Sequence, residues 1–339
     1  MSETNPDVYE QVADMIIEED FMAGPKTPAF VKVISLQFSQ AEARLALQIR
    51  TTGAKLDELS KKTRIKKDAL KNVLMSMADK GTVFYDSSDD PTYSVVKMAA
   101  PGLTETGLWA GIKFPYSVQL ARAINDLMKE WAEEKLAKLG FAFAPVWAAP
   151  NTLPKDAKPE ENLLEVIKDE GHFSVSACPC RLSQWVADPG NHCDHMLEAC
   201  VHTGDQSRWT VKHGMARELT FEELAEHLEK LNKDGLVHTL NIQNSICNCC
   251  NDCCAIAVSE EFGPKAFAPS PFIPKVDEET CNACDKCAED CPTKAISVEE
   301  FGDSVSVDVE YDKCIGCGVC ITSCQKDCMW LERRPPVAA

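Results

Sequence analysis

Cys281, Cys284, Cys287 and Cys291, followed by Pro292, form the run C-x2-C-x2-C-x3-C-P, and Cys314, Cys317, Cys320 and Cys324 repeat its spacing. Thiolates are soft donors, so such runs bind iron–sulfur clusters or zinc. Three cysteines at two-residue gaps can wrap one [4Fe-4S] cube, and the turn that follows carries the fourth away. Zinc usually takes its ligands as two separated pairs, whereas here four cysteines fall close together, twice over. Cys314-Ile315-Gly316-Cys317-Gly318 supplies glycines where backbone must fold closely around a cube. Between the runs, Ala295–Val298 and Val305–Val309 predict a hairpin turning at Phe301-Gly302-Asp303-Ser304.

With these runs the C-terminal segment resembles a two-cluster bacterial ferredoxin. In that family the fourth cysteine of each run ligates the other cube. The resemblance implies one cluster on Cys281, Cys284, Cys287 and Cys324, and another on Cys314, Cys317, Cys320 and Cys291. Gln325 departs from the pattern, standing where a second proline is expected, and Cys328 reads as a packed spare thiol.

The other half of the 18 cysteines lies upstream in two sets. Cys178-Pro179-Cys180-Arg181 is followed by Cys193 and Cys200, and Cys247, Cys249, Cys250, Cys253 and Cys254 crowd one stretch. Adjacent residues of an extended chain point opposite ways, so the second set cannot all face one metal. The C-x-C-R run, Gly235-Leu236-Val237-His238 and Ile246-Cys247-Asn248-Cys249-Cys250 resemble motifs of a family of anaerobic multi-cluster iron–sulfur proteins. Asn251-Asp252 lengthens a gap that is shorter in many of those relatives.

These cysteines predict one or two further [4Fe-4S] clusters. Either both sets contribute to one site, or each set binds its own. Arg181 is a candidate hydrogen-bond donor to cluster sulfur. Zinc is the alternative, with His192, His195 and His202 interleaved among Cys193 and Cys200.

The elements that must position these thiols fall into three parts, giving an α+β protein. Residues 1–105 predict a helical segment and a winged-helix-like domain: helices over Asp7–Glu19, Gln40–Arg50, Lys55–Thr63 and Lys67–Lys80, then strands at Gly81–Tyr85 and Thr92–Val96. Leu56, Leu59, Ile65, Leu70, Val73, Leu74 and Met77 are its expected core stripes. Residues 106–275 predict a mixed α/β domain with cysteine-rich loops, including a long helix over Ser117–Leu139, a loop over Ala144–Pro159 and a helix over Thr220–Asp234. Residues 276–339 form the ferredoxin-like domain, with a loose tail from Arg333.

No apolar stretch reaches the roughly 18 residues of a membrane span, and the polar N-terminus lacks a signal pattern, so a cytoplasmic protein is expected. A formal net charge of −18 argues against a large nucleic-acid surface. Lys61, Lys62, Arg64, Lys66, Lys67 and Lys71 give one helix pair a basic face, but the wing at Tyr85–Pro91 is acidic. No nucleophile, acid–base pair or nucleotide fingerprint stands out. The leading expectation is an electron-transfer subunit or partner of an anaerobic oxidoreductase, more than a stand-alone enzyme. The alternatives are a redox-sensing DNA-binding regulator and an enzyme with an open-site cluster in the middle domain.

Overall fold

In the computed structural model, which describes residues 7–98, 102–111, 117–190, 193–240, 245–259, 266–301 and 304–335, apolar periodicity builds the first helices. α1 (Val8–Glu19) buries Val12, Met15 and Ile16. α2 (Pro28–Gln37) begins where Pro28 presets the first turn and the Thr27 hydroxyl accepts from Phe30 N–H. α3 (Gln40–Ile49) opens on a Ser39/Glu42 capping box. After β1 (Ala54–Lys55), α4 (Leu56–Thr63) and α5 (Lys67–Asp79) bury Leu59, Leu70, Leu74 and Met77. Ile65 and Val73 are exposed instead; left-handed Arg64 interrupts the period just before Ile65, between the two helices. β2 (Val83–Tyr85) and β3 (Thr92–Val95) complete an antiparallel sheet ordered β1-β3-β2.

The expected boundary after residue 105 falls inside α6 (Leu103–Gly111), which is buried along its whole length. Gln37 Nε2 donates to Leu103 O at 2.9 Å, and a Cβ on Gly107 would come within 2.2 Å of that nitrogen. α7 (Ser117–Glu134) follows, with Leu120, Ile124, Leu127 and Trp131 buried; the chain then tightens into a 3-10 turn over Leu136–Lys138. One continuous core joins residues of α1–α6 to Leu182, Cys200, Trp209 and Met215.

Ala144–Trp147, expected as loop, is strand β4. Ala144 and Val146 are buried while Pro145 is exposed; Pro145 lies outside the Val146–Trp147 register with the strand on one side, although it stands opposite Ala268 on the other, where the pairing is only two residues long. Then come α8 (Leu163–Ile167), β5 (Phe173–Ala177), α9 (Pro179–Ala187), β6 (Glu198–Thr203), α10 (Gly204–Lys212) and β7 (Arg217–Leu219). α11 (Phe221–Lys233) starts from the expected Thr220/Glu223 capping box and leads to β8 (Val237–Leu240), β9 (Ser245–Cys249), α12 (Ala255–Ser259) and β10 (Phe267–Ala268). The sheet runs β10-β4-β8-β9-β6-β5-β7, and among the described residues its β10–β4 pair is parallel while the others are antiparallel.

The last part begins with β11 (Phe272–Val276), earlier than the expected boundary at 276. α13 (Lys286–Glu289) precedes the hairpin β12 (Ile296–Phe301) and β13 (Ser304–Val309), whose Gly302 and Asp303 lie outside the described residues. α14 (Val319–Ser323) leads to β14 (Met329–Arg333), which closes antiparallel on β11. The start of the supposed tail is tied down: Arg333 Nη1 donates to Glu161 Oε1 at 2.7 Å, and Arg334 Nη2 to Cys314 O at 2.9 Å. Residues 336–339 lie outside the described residues. No described helix is long and apolar enough to cross a membrane.

Candidate metal centres

The loops after β11 and β13 each curl back on themselves, so cysteines distant in sequence meet. Cys281, Cys284, Cys287 and Cys324 border one cavity between the β12–β13 hairpin and β14. Cys291, Cys314, Cys317 and Cys320 border a second, beneath Pro274 and Leu331. Each cavity therefore gathers three cysteines of one run and the last of the other. The donor set suits iron–sulfur cubes: eight thiols in apolar surroundings, with Ala295 N–H donating to Cys291 Sγ at 3.3 Å as backbone amides do to a thiolate. Gly316 and Gly318 have positive φ, and a Cβ on Gly316 would meet Phe272 O at 2.3 Å, so the loop needs glycine there. Burial pushes the Cys287 thiol up to about 11 and the Cys317 thiol up to about 12. A metal must therefore displace those protons as it binds. Cys328, expected as a spare, also borders the first cavity, 3.5 Å from Cys324 Sγ.

The upstream cysteines are brought together by the sheet, but they assort across the two sequence sets. Cys193 Sγ lies 3.6 Å from Cys253 Sγ, which lies 3.1 Å from Cys250 Sγ. These three sulfurs and an Asp252 carboxylate oxygen are all within 4.8 Å of one another. The larger group contains Cys180 in contact with Cys178 and Cys254, and Cys249 in contact with Cys254 and Cys247. Cys254 and Cys249 sulfurs are 3.1 Å apart. Cys200 stands opposite Cys247 across the β6–β9 ladder. Neighbours in sequence thus part company: Cys249 and Cys254 turn one way, Cys250 and Cys253 the other. Contacts with surrounding thiols bring Cys250 and Cys254 down to about 6, against the opposing effect of burial.

Arg181, on α9, is buried between these groups. Nη1 donates to Met196 O and Nη2 to Asn248 O, both at 2.8 Å, while buried Nε has no protein partner among the described residues. Burial opposes its charge, but the fields of Cys178, Cys250, Cys253 and Cys193 outweigh that and hold it firmly protonated. Glu105, wholly buried on α6, lies within the electrostatic reach of Cys200. No sequence signal marked Glu105 or Asp252.

Among the described residues, two of the histidines named for the zinc alternative are engaged elsewhere. His202 faces Ser176 Oγ at 3.0 Å and Ser245 Oγ at 3.1 Å through its two ring nitrogens, leaving neither free for a metal. Burial depresses it to about 3. His195 pairs with Asp234, and His192 lies outside the described residues.

The two cysteine regions abut. Cys249, Cys250, Cys253 and Cys254 share one apolar core with Ile315, Cys317 and Val319. Asn251 Nδ2 donates to Pro292 O at 3.4 Å, next to Cys291, and Ala149 N–H donates to Cys317 O at 3.0 Å.

Residues 273–325 match the family described as 4Fe-4S dicluster domain. Curated relatives include the tetrachloroethene reductive dehalogenase of Sulfurospirillum multivorans, 31% identical over 22% of this chain and 21% of its own. Pyruvate synthase subunit PorD of Methanothermobacter marburgensis is 34% identical over 18% of this chain and 68% of its own. Electron transport protein HydN of Escherichia coli is 28% identical over 27% and 56%. The chain thus spans about a fifth of the dehalogenase and just over half of HydN. No solved structure matches significantly. Through its C-terminal segment the chain belongs to the 4Fe-4S dicluster family.

Proposed function

We propose, on the premise that the chain is a 4Fe-4S dicluster protein, that it relays single electrons as a subunit or partner of an oxidoreductase. One cube takes Cys281, Cys284, Cys287 and Cys324, and the other takes Cys314, Cys317, Cys320 and Cys291. A third is held in the middle domain by the larger thiol group, through Cys178, Cys180, Cys249 and Cys254. Cubes supply reversible one-electron chemistry when bound. The protein's part is to bury the thiolates, aim amides and Arg181 at them, and hold the centres close.

The observation that carries this reading is the shared core of Cys249, Cys250, Cys253 and Cys254 with Ile315, Cys317 and Val319, together with the Asn251–Pro292 hydrogen bond. Electron transfer through protein falls off steeply with distance, so adjoining thiol sets favour a relay over two unrelated sites. PorD and HydN, named respectively as a pyruvate synthase subunit and an electron transport protein, suit the same role. The N-terminal helices and sheet fit a winged helix that docks inward. Its wing meets α10 through Tyr85–His213 at 3.1 Å, a Ser87–Asp205 hydrogen bond and Phe84 against Trp209. That inward wing favours a docking role over DNA reading. A cytoplasmic setting fits the same proposal.

Iron, labile sulfide and EPR of the anaerobically purified chain test the relay. About twelve sulfides and three interacting reduced signals are expected, at four sulfides per cube. About eight sulfides, with no signal beyond the dicluster pair, would overturn the middle-domain cube.

A further inference from the structure

We propose that Cys193, Cys250 and Cys253, with Asp252, form a separate mononuclear metal site that takes one tetrahedral divalent ion, zinc or iron. The inference rests on the relay reading only in leaving the larger thiol group to the cube. A tetrahedral ion with metal–sulfur bonds of about 2.3 Å sets its sulfurs about 3.8 Å apart. The observed separations are 3.6 Å for Cys193–Cys253 and 3.1 Å for Cys250–Cys253, with all four donor atoms inside 4.8 Å. Three thiolates and a carboxylate are the donors for a single borderline-soft cation.

The fourth ligand is also the weakest and the most accessible. Cys250 and Cys253 are buried, while Asp252 is exposed. Asp252, Cys193 and Cys253 line a cavity of about 480 Å³ that also presents Asn125, Lys129 and Gln184. Three fixed protein ligands with an exchangeable position facing a cavity is the arrangement of zinc sites that bind a small molecule. Arg181 fits the same picture from behind: its buried charge offsets a net-negative thiolate site, and its free Nε–H is a donor for a thiolate. The site therefore takes a small donor molecule at the metal, displacing the Asp252 carboxylate into the cavity.

Cubes contain iron and sulfide in equal number, so zinc plus iron minus labile sulfide counts the metal outside them. The expected result for the full chain is an excess of about one metal ion. X-ray absorption at that metal should show three sulfur neighbours and one oxygen neighbour. Cys253→Ala should abolish the excess while labile sulfide stays unchanged. Asp252→Ala, at an exposed position that leaves the core intact, should keep the three sulfurs and let added imidazole bind at least tenfold more tightly. Loss of sulfide together with four irons in Cys253→Ala would overturn the proposal, as would no excess metal or a four-sulfur shell. Sulfide above about eight tests the relay and the metal excess tests this site, so either can fail alone.

Discussion

Arg181 shows how one side chain can set the properties of several thiols. Its guanidinium lies in the field of four cysteines and keeps one N–H unspent. Positive charge and hydrogen bonds to sulfur favour the reduced, more negative state of a centre. Arg181→Gln should therefore lower the midpoint of the proposed middle-domain cube by tens of millivolts and leave the dicluster signals in place, as read by EPR-monitored redox titration. Glu105 permits a second residue-level prediction. Burial raises its carboxyl above the usual 4.5, so the folded chain keeps a proton that the unfolded chain loses. Its contribution to stability is full below pH 4.5 and is lost as pH rises through the folded value. Glu105→Gln keeps a carbonyl acceptor for Gly102 N–H and Thr104 Oγ, which now bond the carboxylate at 2.7 and 2.8 Å. Unfolding midpoints measured from about pH 5 to pH 8 should fall more steeply for the native chain than for this variant. Equal slopes would show that Glu105 does not titrate in that way.

At the scale of elements, some features were legible in the sequence and others were not. The α11 capping box and its buried Leu224, Leu228 and Leu231 were readable because local chemistry and period agree. The strand β4 was not, because Pro145 signals a loop, and its pairing with β8 begins only after that proline. The same holds for α6, whose continuous burial leaves no amphipathic stripe to detect. The alternation of the cysteine loop was anticipated, since adjacent side chains must diverge. Which distant thiol each would meet depends on the pairing of β6 with β9, and no spacing encodes that. Packing around α6 has a measurable price in stability: Gly107→Ala drives a methyl into the Gln37 amide. It should destabilise by about 1–3 kcal/mol, as overpacked cores do, measured by denaturant unfolding of the metal-loaded protein. The wing gives a parallel test. His213 bridges Tyr85 and Asp79, at 3.1 and 2.7 Å, so His213→Ala should cost about 1–3 kcal/mol without changing metal content.

Across the whole molecule, the first two parts share one core while the dicluster module has its own around Cys287, Ala295 and Val307. The 1–105 and 106–275 division expected from the helix and strand pattern is therefore not a mechanical division. Limited proteolysis should separate no stable fragment ending near residue 105, because a cut there breaks α6. The module is fastened differently, through its apolar seam near Cys317 and through Arg333 on Glu161 and Asp156. Arg333 and Asp156 are solvent-exposed while Glu161 is partly covered, so Arg333→Ala should alter unfolding by no more than about 1 kcal/mol. A larger loss would mean that the seam itself depends on it.

The crossing of the thiols also carries a consequence for biogenesis. Within each C-terminal run three cysteines emerge together, so most of a cube's ligands are available as soon as a short stretch leaves the ribosome. Cys193 meets Cys253 only across 60 residues of chain, once β6 and β9 have paired. On the proposed assignment, the middle domain must fold before its centres can be loaded, whereas the module can be loaded as it is made. Maturation in iron-limited cells should yield chains with filled dicluster sites and an empty middle domain, and iron restored later should enter the middle domain without unfolding.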